Sequence, residues 1–114
     1  MRLFSKDDKS LIDMISKNKI ATSLFVAWII KYFLHDNSDP KTLEVIADFL
    51  LLTDSSDIGK FDHLHHWITG YIMKSLSQAK HLPANKRKAK IIKDLSDLSN
   101  HRKRLRFIRS SKVN

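Results

Sequence analysis

Residues 19–35 read KIATSLFVAWIIKYFLH, and they contain the most hydrophobic segment of the chain, Ile20 to Leu34. As a helix it is apolar nearly all round, and such a helix is normally surrounded by other elements. It is interrupted by Thr22, Ser23 and Lys31, and it is shorter than the roughly 20 apolar residues that a bilayer-spanning helix needs. We therefore predict the central helix of a soluble core and no membrane partner.

The overall composition favours one helical domain. The chain has 114 residues, 42% of them apolar and 29% charged, which is enough for a single core. Two Gly and two Pro in the whole chain favour long uninterrupted elements over a β fold with many turns. The sequence contains no Cys, which excludes a disulfide framework, a thiolate metal site and a thiol nucleophile.

Capping signals on either side of the central helix predict two more helices. Ser5 and Asp8 have the spacing of a capping box, and a short apolar face follows them. Downstream, Asp39 suits an N-cap and Pro40 suits the first helical position. The apolar run that ends at Leu52 is predicted as a third helix, because no partner strand is evident elsewhere in the chain.

A loop over residues 53–59 precedes the clearest helical periodicity in the chain. The pattern predicts a fourth helix from about residue 60 to Lys80. Gly70 lies inside it, either as a small destabilising exception or as a point of close approach to another helix. The predicted apolar stripe consists of Phe61, Leu64, His65, Ile68, Tyr71, Ile72 and Leu76.

Pro83 separates these four helices from a basic C-terminal part. Asn85 is a candidate N-cap for a fifth helix from about Lys86 to Arg106 or beyond. Its apolar stripe is narrow, so we expect this helix to pack on the body by one edge or against a partner chain, which leaves a homodimer open. The stripe consists of Ile91, Leu95, Leu98 and Leu105, interrupted by Arg102.

These elements together predict an all-α fold, a compact bundle of about four helices with a basic C-terminal fifth helix or tail. The helical core occupies residues 1–82, and the basic helix and tail occupy residues 83–114 of the same single domain. The first residues of the sequence lead directly into a charged turn and lack the apolar stretch of a secretory signal. We therefore expect a cytoplasmic protein.

The charge of the chain divides sharply at about residue 80. Residues 1–79 contain nine Lys and Arg against ten Asp and Glu, whereas residues 80–114 contain twelve against two. The net charge of +9 therefore comes from the C-terminal part. Because a local excess of one sign repels itself unless an opposite charge answers it, we expect a polyanionic or acidic partner.

The sequence predicts a small non-enzymatic nucleic-acid-binding protein, a regulator or a subunit of a nucleoprotein assembly that binds DNA or RNA. Its basic helix would contact phosphates with little direct reading of sequence, since each neutralised phosphate releases counterions. Arg adds a forked geometry that grips a phosphate. The predicted binding residues are Lys86, Arg87, Lys90, Lys93, Arg102, Lys103, Arg104, Arg106 and Arg109.

Three other roles stay open for the basic segment. It can be a solvated tail, it can contact an anionic membrane surface, or it can bind an acidic protein surface. The membrane role is disfavoured because the segment lacks the broad apolar face of an interfacial helix. The protein alternative is an adaptor or inhibitor of phage or plasmid type, whose binding would depend less on salt than phosphate binding does.

No motif predicts catalysis or a cofactor. The cluster at residues 62–66 makes His63 and His66 candidate metal ligands, but no His-Glu-x-x-His pattern or further ligand completes a site, so we predict no metal. The chain has no glycine-rich phosphate loop and no Gly-x-Ser-x-Gly turn. A helix-turn-helix from the third and fourth helices is disfavoured by its long acidic loop.

Overall fold

Six α-helices form the part of the chain that the computed structural model describes, residues 8–112, with side chains described for residues 10–101. No strand occurs in that part, and the all-α prediction is confirmed. The predicted Ser5–Asp8 capping box lies outside the described side chains. None of these helices combines the length and apolar character needed to cross a bilayer. They are α1 (Asp8–Ser16), α2 (Lys19–Leu34), α3 (Pro40–Leu52), α4 (Ser55–Gly59), α5 (His66–Ala79) and α6 (Ala84–Lys112).

The core is formed by buried apolar side chains from all six helices. α6 packs against α3 and α5, and α2 packs against α1, α4 and α5. Phe33 and Phe49 are fully buried, and Phe25 stacks on Phe49 with ring centroids 4.4 Å apart. The buried hydroxyl of Thr22 donates to the carbonyl of Ile15 at 2.9 Å, which satisfies it inside an otherwise apolar region.

Side-chain caps start α2 and α3. Asn18 Oδ1 accepts the backbone N–H of Ala21 at 3.0 Å. Asp39 Oδ2 accepts the hydroxyl of Thr42 at 2.8 Å and the N–H of the same residue at 3.0 Å, and these bonds lower the pKa of Asp39. Pro40 occupies the first turn. The predicted start of the third helix is therefore confirmed.

The predicted fourth helix is wrong over residues 60–65. Asp54 starts a separate short helix, α4, because its side chain accepts a backbone N–H at 3.0 Å. Turns follow as far as His65, whose φ of −141° and ψ of 62° interrupt the helix, and α5 begins at His66. Leu64 is consequently exposed. The stripe is buried, as predicted, at Ile68, Ile72 and Leu76.

The C-terminal helix is more deeply packed than predicted. It begins at Ala84, before the predicted Asn85 cap, and the carbonyl of Pro83 accepts the N–H of Lys86 at 2.9 Å. Because α6 packs against both α3 and α5, the described part of its narrow apolar stripe is fully buried. The expected edge packing is wrong, and so is the argument for a homodimer through this stripe. The exposed fraction is 0% at Ile91, Leu95 and Leu98.

Gly70, in the interior of α5, is a position where stability can be gained. A Cβ built there has no atom within 4 Å, so this glycine is not a point of close helix approach. We expect Gly70→Ala to raise the free energy of unfolding by about 1 kcal/mol, because Ala loses less backbone entropy than Gly in a helix. Urea unfolding followed by circular dichroism measures the change. Gly59→Ala, at the end of α4, should gain less, and a loss of stability at position 70 would contradict the open space.

Candidate nucleic-acid interface

The buried stripe of α6 determines which of its basic residues face solvent. Ser99 Oγ donates to the carbonyl of Asn37 at 2.9 Å and adds a polar anchor to the apolar contacts of the helix. Lys86 and Lys93 lie about two helical turns apart and are exposed. Neither forms an ion pair with another described side chain. These two predicted residues are therefore available to a ligand.

Lys90, also a predicted binding residue, makes internal contacts. Its Nζ lies 2.7 Å from a carboxylate oxygen of Asp94 and 3.1 Å from Oε1 of Gln78. The Asp94 carboxylate also accepts a hydrogen bond from the buried hydroxyl of Ser75 at 2.7 Å. This network joins α5 to α6. The charge of Lys90 is already matched within the chain.

Two further basic residues attach α6 to the body. Arg87, a predicted binding residue, donates from Nε to the carbonyl of Leu82 at 3.0 Å. Lys88, which is not among the predicted residues, lies 3.0 Å from a carboxylate oxygen of each of Glu44 and Asp48 on α3. Burial opposes the charged form of Lys88, but hydrogen bonds to both carboxylates outweigh it and raise the pKa of Lys88 above its ordinary value.

The other predicted binding residues lie in the last part of α6. The backbone continues as a helix to Lys112, which extends about 17 Å beyond His101, the last described side chain, at about 1.5 Å per residue. We call residues 102–112 the basic end of α6. The predicted residues whose side chains lie outside the described part are Arg102, Lys103, Arg104, Arg106 and Arg109.

The described surface of α6 carries both signs of charge. Asp94 and Asp97 separate Lys93 from the basic end of the helix. Burial raises the pKa of Tyr71 on α5, and the charges of the two aspartates raise it further. Tyr71 and Lys74 line a groove of about 210 Å³ whose wall includes Asp94. Phosphate contact therefore fits the exposed Lys86 and Lys93 and the basic end of α6 better than the segment that carries Asp94 and Asp97.

An aromatic pair beside the basic end is a feature that sequence reasoning missed. Trp67 of α5 stacks on His101 of α6 with ring centroids 5.1 Å apart and an interplanar angle of 23°. No local pattern indicates this contact, because the two rings belong to different helices. Trp67 is 40% exposed. Its fluorescence is therefore expected to respond to a ligand at the basic end.

Of the two candidate metal ligands, His66 forms a local structural contact. His66 Nδ1 lies 3.0 and 3.1 Å from the two carboxylate oxygens of Asp62, and Thr69 Oγ1 donates to the same carboxylate at 3.0 Å. These contacts lower the pKa of Asp62, the His66 contact contributing most. His63 is exposed. Among the described residues, no group of three or more His, Asp or Glu is arranged to hold a metal ion.

No family model, curated protein or solved structure matches this chain. No relative therefore supplies a function or a set of site residues. The charge distribution of the sequence and the contacts, burial and register of the helices are the observations from which a function can be inferred.

Proposed function

We propose that this chain is a small non-enzymatic nucleic-acid-binding protein that contacts phosphates through α6. The single observation that carries the proposal is the charge division, twelve basic against two acidic residues from position 80 onward. The protein would act as a regulator or as a subunit of a nucleoprotein assembly. The cytoplasmic location stays a prediction.

The packing of α6 supports this proposal. Its packed part is anchored by apolar side chains and by the Ser99 hydrogen bond, so that the basic end continues from a fixed base. The helical register that is apolar at positions 91, 95 and 98 continues with Arg102, Leu105 and Arg109. Two of these three positions carry Arg instead of an apolar residue, and this positive charge suits an external polyanion.

Two lysines of α6 differ in their internal contacts, and this difference leads to a testable prediction. Lys93 is exposed and unpaired among the described side chains, whereas Lys90 is paired with Asp94. We expect Lys93→Gln to reduce the slope of log affinity against log salt by about one and to weaken binding equally for all sequences. Lys90→Gln should change that slope less. Fluorescence anisotropy with a labelled oligonucleotide measures both, and equal effects would contradict the assignment.

The function itself is tested by salt titrations against short single- and double-stranded DNA and RNA of mixed sequence. Phosphate binding predicts an affinity that falls steeply and linearly on logarithmic axes as salt rises. Trp28→Phe leaves Trp67 as the only Trp of the chain, so its fluorescence reports binding near the basic end. An affinity independent of salt, or no binding to any of the four ligands at low salt, would refute the proposal.

A further inference from the structure

α2 carries an exposed apolar stripe, although its composition predicts a helix covered on all sides. The exposed fraction is 76% at Ile20 and 68% at Leu24, and Ala27 is also exposed. These positions follow the four- and three-residue steps of one helix face. Together with Phe61, from the turn after α4, they line an open groove of about 420 Å³, which we call the α2 groove.

The ends of the α2 groove are positively charged. Lys19 lines it, and Lys31 continues the same helix face one turn beyond Ala27. Neither lysine has an ion-pair partner among the described side chains, and α2 contains no acidic residue. The two lysines are twelve positions apart on the helix, which corresponds to about 18 Å. The surface is therefore an apolar floor about three turns long with a cation at each end.

A second copy of this chain fits the α2 groove poorly. Antiparallel packing of two α2 helices would bring Lys19 of one copy close to Lys31 of the other, and parallel packing would align each lysine with itself. Since α2 has no carboxylate to separate them, both arrangements place like charges together. Phe61, from the turn after α4, lines the same open surface beside α2 and widens its apolar area beyond one helix face. A row of apolar side chains with an acidic residue at each end matches both the apolar floor and its two terminal lysines.

We propose that the α2 groove binds an amphipathic helix of a protein partner. Its apolar residues, spaced three and four apart, would pack on Ile20, Leu24 and Phe61, as in other helix-in-groove complexes. Asp or Glu at each end of that apolar ridge would pair with Lys19 and Lys31. This function is additional to phosphate binding, because the groove is formed by α2 and the turn after α4, whereas the proposed phosphate contacts lie on α6.

The test is a selection from a displayed library of random helical peptides of about four turns. The full chain is the target. Peptides that also bind the Leu24→Asp variant are discarded, because they bind outside the α2 groove. We expect the enriched peptides to share an apolar ridge with an acidic residue near each end. A synthetic enriched peptide should lose at least about tenfold in affinity on Leu24→Asp and on the double variant Lys19→Glu/Lys31→Glu.

Two matched variants keep the test independent of folding. Leu52→Asp makes the same change at an exposed leucine that does not line the groove, and it should leave peptide affinity unchanged. Ile20→Glu places an acid in the first turn of α2, where it suits the helix N-terminus, so it should abolish binding without loss of stability. Circular dichroism checks the fold of each.

Three results would overturn the proposal. The first is a selection that yields no Leu24-dependent peptide, or peptides without acidic residues. The second is a dimer in sedimentation analysis that Leu24→Asp converts to a monomer, which would assign the groove to a second copy. The third is binding to anionic phospholipid vesicles that depends on Leu24, which would assign it to a lipid surface.

Discussion

Replacing four closely spaced basic residues at the start of the basic end with Gln should remove most of the nucleic-acid affinity. Four duplex phosphate contacts account for a salt slope of about 3.6, which is roughly a hundredfold difference in affinity between 50 and 200 mM salt. The variant should therefore bind weakly at low salt and lose much of its salt dependence, equally for all sequences. The change is Arg102, Lys103, Arg104 and Arg106→Gln.

The matched control removes the same charge from the body of the protein. If the basic end makes the contacts, this control should keep most of its affinity and salt slope, because the slope counts only the cations that contact phosphates. An equal loss in both variants would mean that net charge alone determines binding and would remove the basic end from the mechanism. The control is Lys17, Lys19, Lys31 and Lys41→Gln.

The sequence predicted helices well where one side chain is the cause. Asp39 and Pro40 start α3 by a cap and a fixed backbone angle, and both signals are local. The prediction failed at residues 60–65 because the spacing of Phe61 and Leu64 is compatible with a continuous helix. The interruption depends on the cap at Asp54 and on the backbone at His65, which hydrophobic periodicity does not detect.

The same difference between local and non-local signals applies to the candidate site. The pairing of Lys90 with Asp94 has the spacing of neighbours on one helix turn, so a local signal for it existed. The partners of Lys88 lie on α3, 40 and 44 residues away in sequence, and no local pattern indicates them. The charge count predicted the basic helix. The contacts of Lys88 with α3 and of Lys90 with α5 are what distinguish these two lysines from the exposed ones on the same helix.

The burial of α6 has a further consequence, since the same helix is both the proposed ligand contact and a structural part of the core. The three apolar side chains of its stripe have 0% exposure, so a chain that ends at Leu82 would leave a large apolar surface uncovered and should not fold. Function and stability must therefore be separated by substitution at exposed positions of α6. Deletion of the helix would remove both.

Leu95→Ala should lower the free energy of unfolding by about 3 kcal/mol, because it removes a fully buried leucine and leaves a cavity between α6 and its neighbours. Ala keeps the helix propensity of α6, so the loss reports packing. Leu24→Ala makes the same change at a 68% exposed position and should cost about 0.5 kcal/mol or less. Urea unfolding of both variants measures the difference. Equal costs would mean that α6 does not pack into the core, and the anchored basic helix on which the proposed function depends would be lost with it.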